Sequence, residues 1–131
     1  MNESRPRTNG SWLARRVRSF GYAWSGFIWL IRSQPNAQIH LLATICAIAV
    51  AIWLKITRIE WCAVLIVIGL VWSAEALNSA LEILADHLAP NEHPLVGRAK
   101  DVAAGGVLVA AIVAAAVGIA VFGPRLLERF W

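Results

Sequence analysis

Five polar side chains, Glu75, Asn78, Ser79, Glu82 and Asp86, interrupt an otherwise apolar stretch, the last four at offsets of 3, 4, 7 and 11 residues from the first. At ~100° per residue an α-helix gathers all five within an arc of about 100°. Lys100 and Asp101 follow immediately before the next apolar block, where they fall near the same end of such a helix. Carboxylates beside a lysine suit a definite chemistry. Carboxylate oxygens are hard ligands for magnesium, an ammonium group offsets phosphate charge, and a separate carboxylate can take the proton of an attacking hydroxyl. The residue types admit phosphoryl transfer from a magnesium nucleotide without requiring it.

The surroundings of these acids are a membrane. Of 131 residues, 59% are hydrophobic and 15% charged, well above the ~45–50% apolar content of soluble domains, and the apolar residues collect in blocks of bilayer length. An acid at the centre of a membrane helix costs on the order of 3 kcal/mol, so such residues face a bundle interior or a hydrated site. A plainer account, in which Glu82 and Asp86 only mark a snorkelling helix end, leaves out Glu75, which lies roughly 16 Å from Asp86 along a helix. Two other functions remain open on these residues. The stripe could be a path for protons or cations in a small transport protein, or mere helix glue in a membrane assembly factor.

Other motifs are uninformative or missing. No G-x-x-x-x-G-K-[ST] loop and no G-x-G-x-x-G loop occurs, and the pair Gly105-Gly106 lies within an apolar block, where it reads as packing. His40, His87 and His93 are isolated in sequence and read as interface or loop histidines, His93 being in the loop nearest the acids. Cys46 and Cys62 have no neighbours at metal-ligand spacing and read as small core residues.

The elements that must position the acids can be read along the chain. Residues 1–10 are polar and read as a frayed tail, with no cleavable signal peptide. Over 11–32, Leu13, Val17, Phe20, Trp24, Phe27 and Ile31 recur at steps of three and four, predicting an amphipathic surface helix with Trp12, Trp24 and Trp29 at headgroup level. The run Arg32 to Asn36, with Pro35, predicts a turn. Spans are expected over about 37–54, 61–85 and 100–122, the last holding twenty-one uncharged residues from Val102 to Phe122. Lys55 to Glu60 is expected to be a tight turn and His87 to Gly97 a loop. The expected fold is thus all-α: an integral membrane protein with three transmembrane helices and an N-terminal surface helix, in one domain over 11–131.

Six of the twelve Lys and Arg residues lie in the first thirty-two, against one acid. The positive-inside rule then puts the N-terminus and the 87–101 loop in the cytoplasm. Aromatic and apolar residues interleave with these arginines, which suits a lipid headgroup surface and not nucleic acid.

The run Glu75-Ala-Leu-Asn78-Ser79-Ala-Leu-Glu82, with Asp86 and Gly97-Arg-Ala-Lys100-Asp101-Val-Ala-Ala-Gly-Gly-Val107, resembles the prokaryotic diacylglycerol kinase family, which includes undecaprenol kinases. The likeness extends to Gly21-Tyr22-Ala-Trp24-Ser-Gly26 and Asn36-Ala-Gln-Ile-His40. It implies a homotrimer in the bacterial inner membrane that moves the ATP γ-phosphate to a lipid alcohol at the cytoplasmic face. By position it implies Glu75 as proton acceptor and Glu82 as magnesium ligand. Arg15, Tyr22, His93, Lys100 and Asp101 match nucleotide contacts, while Asn78, with Ser79 and Asp86, lines the site. Two departures stand out. Gln34, matched to the ATP site, stands where the diacylglycerol kinase branch has a second metal-binding glutamate, and as a neutral oxygen donor it would bind magnesium more weakly or through water. The segment His93-Pro94-Leu95 looks more like the undecaprenol kinase branch, so the lipid, diacylglycerol or undecaprenol, is open.

Overall fold

The computed structural model describes residues 12–90 and 93–130. The tail 1–10, Ser11 at the start of the expected surface helix, and Asn91 and Glu92 of the expected loop lie outside the described residues. Four helices follow in order: α1 (Trp12–Ser33), α2 (Pro35–Trp53), α3 (Arg58–Leu88) and α4 (Pro94–Phe130), with no strand among the described residues. The last three are each long and apolar enough to cross a membrane. The protein is therefore an all-α membrane protein of three spans preceded by one further helix. α4 packs chiefly along α3, α2 leans on α3, and α1 touches α2 and α3.

The helices run past the expected spans. With 31 and 37 residues, α3 and α4 are roughly 46 and 55 Å long, against a hydrocarbon layer of ~30 Å. Charges such as Glu60 and Arg125 end the apolar blocks, but a helix ends only where its backbone hydrogen bonds are handed to a cap. At α3 that cap is Thr57, whose hydroxyl accepts from Glu60 N–H at 3.4 Å while the Glu60 carboxylate accepts from Thr57 N–H at 2.6 Å, a reciprocal capping box. Pro94, expected in a loop, opens α4. Proline is well suited to a first helical position, and His93 Nδ1 accepts from Leu95 N–H at 3.3 Å. The turn expected over 32–36 shrinks to Gln34 alone, with Pro35 starting α2.

The α2–α3 end of the bundle is closed by apolar packing under a polar clasp. Lys55 N–H donates to Ile52 O and Ile56 N–H to Ala51 O, at 3.1 and 3.2 Å, the pattern of a helix closed through a left-handed residue. Lys55 takes that conformation, with φ 50°. Ile56 is thereby folded back and buried with Ala51, Leu54, Val64 and Val121. Above this core the Arg125 guanidinium grips both oxygens of Glu60, Nη2 to Oε2 at 2.9 Å and Nε to Oε1 at 3.3 Å. Arg129 lies over the Trp53 ring, 4.9 Å from its centroid.

Elsewhere the single subunit leaves much apolar surface open. The first turns of α1 present Leu13, Val17 and Phe20 to no other helix, and they are exposed, as an interfacial stripe demands. Cys46 and Cys62 are also exposed, correcting the expectation that they are core residues. In a bilayer an apolar sequence position need not face protein, since acyl chains solvate it equally well.

Candidate active site

One face of α3 carries the polar stripe, and its burial is graded. Glu75, Asn78 and Ser79 are almost wholly enclosed, at 1%, 3% and 2% exposure, while Glu82 is half-buried and Asp86 is exposed. The helical repeat aligns them, so hydrogen bonds link neighbours one turn apart. Ser79 Oγ donates to Glu75 Oε1 at 3.3 Å, and Asn78 Nδ2 donates to Glu82 Oε1 at 3.2 Å. Two buried oxygens, Glu75 Oε2 and Asn78 Oδ1, have no hydrogen-bond partner. Leaving such groups unpaired costs on the order of 1–3 kcal/mol each, so they mark the place where polar ligands belong.

The same region holds a residue the sequence reading set aside. His40 Nε2 on α2 lies 3.9 Å from Glu75 Oε2. Around it α2 is tied to α3: Thr44 donates to the His40 carbonyl at 2.7 Å and accepts from Trp72 Nε1 at 3.1 Å. Trp72 in turn meets Phe27 of α1, ring centroids 5.0 Å apart. His40 and Glu75 are far apart in sequence, and no motif links them. Depth gives the one available signal, because both fall a few turns inside the same membrane face once the spans are drawn.

Apolar hollows reach this centre from two sides. One of about 270 Å³ between α2, α3 and α4 has His40 on its wall, and one of about 370 Å³ between α1 and α3 has Ser79 on its wall.

At the α3–α4 end Asp86, His93, Lys100 and Asp101 line one open cleft of about 560 Å³. The structure thus brings together four of the residues singled out from sequence. Lys100 Nζ donates to Asp86 Oδ1 at 2.8 Å across the mouth of that cleft. Arg15, Tyr22 and Gln34 do not line it. Arg15 and Tyr22 are exposed on α1, and Gln34 sits partly buried at the α1–α2 junction, its side chain making no capping bond.

Among the described residues no group of three His, Cys, Asp or Glu could hold a metal ion by itself. Magnesium does not need one, since it is commonly bound through one or two carboxylates together with substrate phosphates. Glu82, whose Oε1 accepts from Asn78 Nδ2, offers hard oxygen donors of the right kind.

The profile of the prokaryotic diacylglycerol kinases matches residues 21–122. The undecaprenol kinase of Bacillus subtilis (strain 168) is 34% identical over 114 residues, covering 87% of this chain and 93% of the relative. The diacylglycerol kinase of Escherichia coli (strain K12) is 32% identical over 106 residues, covering 81% and 87%. That of Synechocystis sp. is 38% identical over 111 residues, covering 84% of this chain and 63% of the relative. Matched over residues 21–122 and by relatives that align along most of its length, the chain belongs to the prokaryotic diacylglycerol kinase family.

Proposed function

We propose that this membrane lipid kinase uses Glu75 as the base that activates a lipid hydroxyl for attack on the γ-phosphate of ATP. The lipid oxygen bonds to the γ-phosphorus, the bond from that phosphorus to the β–γ bridging oxygen breaks, ADP departs, and the hydroxyl proton passes to Glu75. The observation that carries this reading is the enclosure of Glu75 at 1% exposure with one oxygen unpaired, on the same helix that ends at the Lys100 cleft. The apolar hollows beside the acid suit an acceptor that arrives through the bilayer.

Lys100, Asp101 and His93 contact the nucleotide at the cleft, and Arg15 and Tyr22 approach it from α1. Glu82, with Gln34 as a weaker neutral donor, would hold magnesium, which would supply positive charge to offset that of the phosphates. Asn78 and Ser79 orient the two glutamates through the hydrogen bonds described above. The site faces the cytoplasm of the bacterial inner membrane, a reading the arginine-rich N-terminal segment supports through the positive-inside rule. Assembly as a homotrimer is what the family resemblance implies. Use of the acidic stripe as an ion path finds no support in a chain of this family.

The lipid alcohol is diacylglycerol or undecaprenol. Purified protein with radiolabelled ATP, magnesium and each lipid in mixed micelles tests the reading, and label is expected in one of the two products. Label in neither lipid would overturn it.

A further inference from the structure

We infer that His40 is a positioning residue for Glu75, donating to Oε2 in the reacting complex and so holding the carboxylate aimed at the incoming hydroxyl. The inference rests on Glu75 being the base.

A base at this depth has a physical problem. A buried carboxylate oxygen without a donor costs free energy, and nothing fixes which way it points. Hydrogen bonds to both oxygens remove that cost and fix the orientation. Ser79 provides one, to Oε1, while Oε2 has none. The imidazole Nε2 of His40 is the nitrogen that faces Oε2, at 3.9 Å, with the histidine side chain itself only 16% exposed. That gap is too long for a hydrogen bond, and contacts of this kind tighten only in the complex.

The approach is built and not incidental. Thr44 bonds the His40 carbonyl, and Trp72, three residues before Glu75, bonds Thr44. The turn of α2 that starts at His40 is thereby tied, through Thr44, to the turn of α3 that leads to the acid.

The test compares the wild type with His40→Leu and His40→Gln in the micelle assay, each with kcat and KM for ATP, and repeats His40→Leu in a Glu75→Gln background. Glutamine places an amide N–H near the position of the imidazole Nε2, so it restores the donor without the ring. His40→Leu is expected to lower kcat by roughly tenfold to a hundredfold, the worth of a hydrogen bond to a charged group, with KM for ATP within about twofold of the wild type because His40 does not line the Lys100 cleft. His40→Gln should recover most of that loss. In the Glu75→Gln background His40→Leu should have no further effect, since residues acting as one unit are not additive.

Wild-type rates for His40→Leu, equal rates for the Leu and Gln variants, or full additivity with Glu75→Gln would each overturn the inference while leaving the lipid kinase reading intact. A wild-type protein that labels neither lipid removes both.

Discussion

Lys100 Nζ and Asp86 Oδ1 meet at 2.8 Å between the end of α3 and the start of α4, across the mouth of the cleft that also holds His93 and Asp101. The pair is open to water, with side chains 34% and 69% exposed, so it adds little to stability. Its interest is that the ammonium is already held in the cleft where phosphates are expected. Lys100→Met should raise KM for ATP on the order of tenfold to a hundredfold, the scale of a charge-assisted contact. Asp86→Asn should leave the thermal midpoint unchanged. Steady-state kinetics and thermal melts in detergent check both, and an unchanged KM in Lys100→Met would remove the lysine from the nucleotide site.

Glu75→Gln keeps the shape of the buried side chain and its bond to Ser79 but removes the base. General-base catalysis contributes roughly 10²–10⁴ in rate, so kcat should fall by that factor while nucleotide binding survives. Radiolabel transfer beside equilibrium ATP binding separates the two. Lost binding with turnover retained would contradict the assignment.

The magnesium requirement should respond to Glu82 and Gln34 in opposite directions. Glu82→Gln removes a carboxylate, and the magnesium concentration for half-maximal rate should rise by roughly tenfold or more. Gln34→Glu adds one, and that concentration should fall, because hard cations favour charged oxygen donors. Titration of activity against free magnesium reads both. A Gln34→Glu variant with an unaltered magnesium curve would exclude residue 34 from the metal site.

At the opposite end of the bundle, Thr57→Ala deletes the cap of α3 and should cost about 1 kcal/mol. Arg125→Ala frees the end of α4 and should lower the thermal midpoint by roughly 2–5 °C. Neither touches the α3–α4 cleft, so KM values in protein that remains folded should not move. A changed KM would mean the two ends are coupled.

The polar stripe was legible because a single helix carries it: the 100° step alone puts Glu75, Asn78, Ser79 and Glu82 on one face, and α3 does bury three of them together. The three spans were legible because lipid selects long apolar blocks. What sequence could not give was contact between helices. His40 and Glu75 meet only through the packing of α2 on α3, and Lys100 meets Asp86 only because α3 and α4 run side by side. The helix ends were misjudged where charge was read as termination. The Thr57-x-x-Glu60 cap was present as a capping signature, and Glu60 is doubly employed, closing a helix and holding Arg125, a combination no local pattern shows.

The link between α1 and α2 has a mechanical consequence. Gln34 alone leaves the helical path, with φ −107° and ψ 116°, while Gln34 N–H bonds Leu30 O at 3.0 Å and Gln38 N–H bonds Gln34 O at 3.3 Å. A residue offers two soft torsions, and preceding Pro35 narrows even these. The direction α1 takes relative to α2 is therefore set by the torsions of Gln34 alone, a turn and a half before His40 on α2.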